Sequence, residues 1–390
     1  MAQRELLSLS LYSLLASNRN GVFIVYFPLF LVEEKGATLP LALAVLTVAW
    51  LPGTLLGPWL GRLSDRARRR RPFLLLGEAL AFPLFLAVVF VPGYLLSSLL
   101  FVLAELALAI GAPAYTAYVA DVTRTHERGE GYGLLNATAS VGGVVGFFAV
   151  ALLTIWFGLS ALFPFVAAVM VGTLGVVVFL VPDIHLDHPL PARPPLRELK
   201  PLIAFSFAVS IRAIGAGAVG TFYGYLAASL GATPFEVGMV AVAGMLTGAV
   251  VSVPFGRLVD RFGEIRGIWY GTVLTLASYG IFVASSTWAE TVPGSSVRFG
   301  GQSFLGTGMN AYVARIAPPG QRAEYLGIFS LINSSLWSIG PLVGAVAIAF
   351  SGYLGLFAMA IGTSVVSLVA MEAIPGAREV PRRAPLGSSG

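Results

Sequence analysis

Apolar residues gather in stretches of twenty or more, separated by short polar connections, and this pattern predicts transmembrane helices. A hydrocarbon core of about 30 Å takes roughly 20 residues of helix. Twelve stretches reach that length, at approximately 6–32, 40–61, 73–92, 95–120, 131–155, 158–182, 200–229, 235–256, 268–287, 292–315, 323–350 and 353–374. The longest polar interval, Pro182 to Lys200, holds Asp183, His185, Asp187, His188 and five prolines between 182 and 195. It reads as a solvated linker. The expected organisation is an all-α membrane protein with six spans in 1–182, a linker at 183–199, six spans in 200–374 and a disordered tail at 375–390.

The two sets of six echo one another. Gly61-Arg62-Leu63-Ser64-Asp65-Arg66 returns as Gly256-Arg257-Leu258-Val259-Asp260-Arg261, 195 residues further on (256 − 61). Ala117-Tyr118-Val119-Ala120 returns as Ala311-Tyr312-Val313-Ala314, and Lys35-Gly36-Ala37-Thr38 is loosely matched by Leu230-Gly231-Ala232-Thr233. Three echoes in nearly constant register indicate one unit built twice, hence two pseudo-symmetric six-helix bundles.

Composition agrees. Apolar residues make up 57% of the chain and charged residues 11%. So few charges cannot cover a water-facing surface, which makes lipid the surrounding solvent. There is no cysteine, which removes thiol chemistry and cysteine-based metal sites. Residues 1–5 carry little positive charge and no small-residue cleavage site follows, so the first apolar stretch is expected to remain as a span.

Arginine and lysine lie almost wholly on one set of connections and on both tails, while the opposite connections offer Lys35 alone. Both termini are therefore expected to be cytoplasmic, in a multi-pass protein of the cell (inner or plasma) membrane. The run Arg68 to Arg71 reads as part of this topology signal, beside lipid headgroups rather than nucleic acid.

Twelve spans, a polar central linker and this hexapeptide between spans 2 and 3 and again between spans 8 and 9 resemble the major facilitator superfamily. Its signature there runs Gly-x-Leu-(Ala)-Asp-Arg-x-Gly-Arg-(Lys/Arg). The first copy has Arg68 where the family usually has glycine; the second keeps Gly263. The resemblance implies the major facilitator fold and a conformational latch at these loops, built from Gly61, Asp65, Arg66, Arg69, Gly256, Asp260 and Arg261, with Asp121 as added partner. Glycine would let helices approach closely there, and the aspartates would receive arginines. Gly133, Gly142 and Gly146 match half of a span-5 motif of drug/proton antiporters, and helix packing is the plainer reading of them.

Ionisable residues at membrane depth carry the chemistry, because a charge there costs at least about 2.5–3.5 kcal/mol. Arg19, flanked by Asn18 and Asn20, lies in span 1, Glu105 in span 4, Arg212 in span 7 and Arg298 in span 10. In the family this chain resembles, those four spans line the cavity. Guanidinium forks suit carboxylate or phosphate, so Arg19, Arg212 and Arg298 are candidate ligands of an anionic solute. Asn20, Tyr26, Tyr115, Asn310, Asn333 and Trp337 are expected to complete the site. The plainer alternative pairs Arg19 with Glu105. Glu105 is the candidate for proton coupling, with Glu78 second and expected to pair with a basic loop residue.

No nucleotide loop, metal cluster or catalytic set is evident, so neither a cofactor nor enzyme activity is expected. The reading is a monomeric secondary active transporter moving a small anionic or amphipathic solute by rocker-switch alternating access, coupled to protons. A proton-driven multidrug exporter with structural arginines, and a lipid flippase of the same fold, are the alternatives.

Overall fold

A computed structural model describes residues 2–122, 128–183, 196–318 and 322–373. Eleven α-helices follow one another: α1 (Ala2–Glu33), α2 (Leu39–Arg66), α3 (Arg71–Phe90), α4 (Tyr94–Val122), α5 (Arg128–Phe157), α6 (Leu162–Phe179), α7 (Leu196–Ser229), α8 (Pro234–Phe262), α9 (Glu264–Ala284), α10 (Thr291–Ile316) and α11 (Arg322–Glu372). Among the described residues there is no strand. The 51-residue α11 is broken inside by Gly352, at φ 63° and ψ −158°. Its two stretches, 322–351 and 353–372, each reach crossing length.

Among the described residues ten helical stretches are long and apolar enough to cross a membrane, Glu324–Glu372 counting as one of them. α10 is not among them, because Gly294, Ser295, Ser296, Arg298, Gly300, Gly301 and Gln302 dilute its apolar character. Large apolar side chains such as Phe90, Leu95, Trp156, Phe179, Val250 and Phe350 point outward, as a lipid-facing surface requires.

Several helices overrun their apolar stretches. Gly61 to Arg66 and Gly256 to Arg261 are not loops but the last turns of α2 and α8. Hydropathy detects only the lipid-exposed part of a helix, and the intrahelical hydrogen bonds continue past it. Residues 196–199, assigned to the linker, are likewise the first turn of α7, where Glu198 faces the positive end of the helix dipole. The rest of the linker (184–195) and the tail from 374 lie outside the described residues.

The repeat is visible in the turns. Gly36 and Gly231 both adopt positive φ, 73° and 92°. Thr233 then caps α8, accepting from the Glu236 backbone N–H (3.3 Å) while its own N–H donates to the Glu236 carboxylate (2.7 Å). At the end of α8, Gly263 has φ 96°; 195 residues earlier Arg68 holds φ 52°, the one non-glycine residue in that region among those described. At the α9–α10 connection the backbone N–H groups of Ser286 and Thr287 hold the exposed Glu290 carboxylate below its ordinary pKa.

Within the first half α1 packs on α5 and α6, α3 on α4 and α6, and α2 on α4; within the second, α7 packs on α11, and α10 on α8 and α9. Glycines set the tightest crossings. A Cβ at Gly142 or Gly146 would lie 2.0 Å from the Leu14 carbonyl or 2.3 Å from that of Asn18 in α1. At Gly340 it would lie 2.4 Å from the Ile214 carbonyl in α7. Gly142 and Gly146 thus serve close packing.

The arginine run is a staple. Arg70 is 4% exposed and donates to Ser64 Oγ (2.7 Å). Arg71 donates to the Val177 (2.9 Å) and Val178 carbonyls at the end of α6, and Arg69 pairs with Asp183 at 3.6 Å. Three of the four arginines therefore bind the protein itself.

The halves meet through α2 on α11, α5 on α8 and α1 on α7. Call the side carrying the α2–α3, α6–α7 and α8–α9 connections the linker face, and the other the far face. Among the described contacts between halves, Tyr26 Oη donates to the Pro234 carbonyl (3.0 Å) and Val25 lies against Gly224, both toward the far face. Near mid-depth the Leu342 N–H donates to Thr47 Oγ1 (3.0 Å), and Trp50 meets Trp337 with ring centroids 5.2 Å apart.

Candidate functional site

On the linker side of that tryptophan pair lies a cavity of about 310 Å³. Among the described residues its walls come from α7, α10 and α11: Arg212, Ala213, Ala216, Gln302, Gly306, Met309, Asn310, Phe329, Ser330, Asn333 and Trp337. The sequence builds it from stripes at helical spacing. Gln302, Gly306 and Asn310 recur every fourth residue on α10, as do Phe329, Asn333 and Trp337 on α11. Gly306 meets no atom within 4 Å of where a Cβ would stand, so it leaves that wall open.

Among the described residues Arg212 is the one charge on this wall. It is 4% exposed, and its Nη2 lies 3.0 Å from the Met309 sulfur, a weak acceptor. Its Nε and the Asn333 Oδ1 have no hydrogen-bond partner. Among the described residues no carboxylate pairs with it. A guanidinium in apolar surroundings with spare donors favours any solute that brings negative charge or strong acceptors.

Arg19 has a different fate. Its Nη1 lies 2.8 Å from Glu78 Oε2, both groups almost fully buried. Tyr12 Oη (3.0 Å) and Thr173 Oγ1 (3.0 Å) donate to the same carboxylate, so α1, α3 and α6 are joined by one satisfied network. This corrects two expectations. Glu78 pairs with Arg19 and not with a basic loop residue, and Arg19 pairs with Glu78 and not with Glu105. Pairing across helices depends on how each helix is rotated about its axis, which spacing within one helix does not reveal.

Glu105 is partly buried, has the Trp50 indole as hydrogen-bonding neighbour, and lies within electrostatic reach of Arg19. Because Trp50 stacks on Trp337 and Trp337 lines the cavity, Glu105 is two side chains away from it.

Of the predicted solute ligands, Arg212, Asn310, Asn333 and Trp337 meet at the cavity. Arg298 is buried elsewhere in the second half, against Tyr223 and Phe299. Tyr26 closes the far face, and Tyr115 stacks on Tyr12 at 5.1 Å. The side chain of Asn20 lies outside the described residues. Sequence reasoning missed Met309, Phe329, Ser330 and Trp50; of these only Phe329 stands on a fourfold stripe, and its apolar side chain gives no signal of a site.

Of the latch residues, Gly61, Arg66, Gly256, Asp260 and Arg261 lie in the last turns of α2 and α8. A Cβ at Gly256 would meet nothing within 4 Å, and one at Gly61 only Pro113 at an ordinary 3.5 Å. Neither glycine marks a close approach here. Arg66, Asp260 and Arg261 are exposed, Arg69 is held by Asp183, and Arg315, at the position equivalent to Asp121, pairs with Glu264 at 3.1 Å. The side chains of Asp65 and Asp121 lie outside the described residues.

The family model described as Major Facilitator Superfamily matches residues 9–206 and 205–389. An uncharacterized MFS-type transporter of Methanocaldococcus jannaschii is 29% identical over 158 residues, 37% of this chain and 40% of the relative. Multidrug resistance protein 2 of Bacillus subtilis is 27% identical over 266 residues, 64% of this chain and 65% of the relative. Tetracycline resistance protein, class C, of Escherichia coli is 30% identical over 267 residues, 66% of this chain and 58% of the relative. The matches thus span between 40% and 65% of these relatives' lengths.

Solved structures share the fold at low identity. The nucleoside transporter NupG superposes with a TM-score of 0.77 at 12% identity, covering 96% of this chain and 100% of that one. A bacterial homolog to the human lysosomal transporter Spinster, inward-facing and unoccupied, gives 0.70 at 16%, covering 97% and 99%.

Proposed function

Given that the chain belongs to the Major Facilitator Superfamily, we propose that it is a secondary active exporter of amphipathic small molecules carrying an anionic or acceptor-rich group. The observation that carries this reading is Arg212, a buried guanidinium with spare donors on the wall of a cavity otherwise lined by amides, a thioether and aromatic rings. Arg212 receives the polar head of the solute, and Gln302, Asn310 and Asn333 fix its orientation. Trp337, Phe329 and Met309 cover the apolar body. A volume of about 310 Å³ admits a small drug-sized molecule. The names of the Bacillus and Escherichia relatives support export.

The multi-pass chain is placed in the cell membrane as a monomer, with the arginine-rich linker face and both termini cytoplasmic. The far-face contacts between halves and the cavity on the linker side then correspond to an inward-open state of a rocker switch. Gly61, Asp65, Arg66, Asp121, Gly256, Asp260 and Arg261 form the latch when the linker face closes. An exposed Asp260 and the open space at Gly256 suit its released form. Protons drive the cycle through Glu105, whose link to the cavity is Trp50 and Trp337.

The test uses the full chain in proteoliposomes with an imposed pH gradient and matched anionic, neutral and cationic amphiphiles. Anions are expected to be carried preferentially, Arg212→Gln to lose that preference, and Glu105→Gln to keep solute binding while losing response to the gradient. Equal transport of all three charge classes, unchanged in Arg212→Gln, would replace this reading with the multidrug exporter whose arginines are structural, which the relatives' names also support.

A further inference from the structure

The second half holds another buried guanidinium, which is not among the residues that line the cavity. Arg298 is 8% exposed and lies seven residues into α10. Its guanidinium carbon is 4.7 Å from the Tyr223 ring centroid and 4.5 Å from that of Phe299. Among the described residues no carboxylate pairs with it. Its Nε and the hydroxyls of Tyr279 and Ser295 have no hydrogen-bond partner, and the Tyr223 hydroxyl, with the Arg298 guanidinium as its hydrogen-bonding neighbour, keeps its own proton to donate. These three residues are at most 1% exposed. Ser295 precedes Arg298 by three residues and shares its helix face, and Tyr279 lies within electrostatic reach of Arg298 and Arg212 alike.

Every unmet group in this cluster can donate, and the charge among them is positive. Two cation–π contacts return less than the burial of a bare guanidinium costs. Water would satisfy the donors and leave the charge uncompensated. An anion satisfies both. The surroundings admit only a small one: Gly220 packs beside Arg298 Nη1, and α8 makes room for the Ser295 hydroxyl only because residue 244 is glycine.

We infer that Arg298, Tyr223, Tyr279 and Ser295 form a closed site for a small monovalent inorganic anion of chloride's size, bound independently of the transported solute. None of the four lines the cavity, so the site does not rest on the proposed substrate class. The bound ion neutralises Arg298 and ties α7, α9 and α10 together.

The test is thermal unfolding of the purified full-length protein in detergent, titrated with sodium chloride against sodium gluconate at constant ionic strength. A saturable rise of the midpoint with chloride is expected, reproduced by bromide. Arg298→Gln should abolish it, Arg212→Gln should retain it, and Tyr279→Phe should weaken the apparent affinity roughly 10-fold or more, as for a lost hydrogen bond to a charged group. Absence of any chloride dependence overturns the inference. So does a dependence that survives Arg298→Gln, or one lost in Arg212→Gln alone, which would place the anion in the cavity. If Arg298→Gln does not fold, Tyr223→Phe with Tyr279→Phe decides: an unchanged chloride titration in that double variant overturns the site.

Discussion

The two halves descend from one pattern, yet they treat buried arginine in opposite ways. In the first half Arg19 is matched by Glu78, and Tyr12 and Thr173 fill the remaining acceptor capacity of that carboxylate. In the second half Arg212 and Arg298 have no carboxylate among the described residues, and both keep an unpartnered Nε. A satisfied ion pair fixes helices to each other; an unsatisfied cation keeps its binding capacity for something that arrives. On the proposed function, the first half serves as frame and the second as receptor.

The comparison can be broken most sharply at Glu78. Glu78→Ala removes the carboxylate that Arg19 pairs with, leaving Glu105 only within longer electrostatic reach, and should lower unfolding stability by about 3–5 kcal/mol. Arg212→Ala, which removes an already unpaired charge, should cost little or even stabilise. Equal losses in thermal or denaturant melts of the two variants would erase the distinction. For binding the order reverses. Arg212→Ala should weaken an anionic ligand by about 1.5–3 kcal/mol, roughly 10- to 100-fold in Kd, readable by calorimetry.

A smaller effect is expected where the halves touch. Trp50→Ala removes a ring pair worth about 0.5–1.5 kcal/mol beyond its buried area and should shift the balance toward states open at the far face. The chain has no native cysteine, so a single cysteine introduced at Tyr26 would report this as faster labelling. An unchanged rate would show that the tryptophans do not hold the closure. The smallest effect tests the repeat itself. Arg68 holds a left-handed conformation that Gly263 holds at no steric cost. Arg68→Gly should therefore stabilise by about 0.5 kcal/mol, strain relief being partly offset by a freer unfolded chain. A loss of stability would mean that the arginine side chain makes up for its backbone.

Much of this architecture was legible in the chain because membranes permit few solutions. Long apolar runs must be helices, and the 195-residue echo fixed which turns are equivalent, down to the shared positive φ of Gly36 and Gly231. The helical nature of Gly61 to Arg66 was not legible, since hydropathy ends where lipid does. The partner of Arg19 was not legible either. Glu78 and Glu105 lie at accessible depths on neighbouring helices, and only helix rotation decides between them. Four cavity residues, Arg212, Asn310, Asn333 and Trp337, were readable because arginine, amides and tryptophan are unusual on apolar helices. Met309 and Phe329 were not, because their chemistry is that of any lipid-facing position.

The tryptophan pair at the floor of the cavity has a thermodynamic consequence. Trp337 touches whatever fills the cavity, Trp50 stacks on it, and the Glu105 carboxylate leans on Trp50. A solute that displaces the first ring must disturb the last group in the series. Linkage is reciprocal: by whatever factor protonating Glu105 alters solute affinity, bound solute alters proton affinity by the same factor. On the proposed function, this pair of rings would exchange free energy between a proton and a solute that never meet.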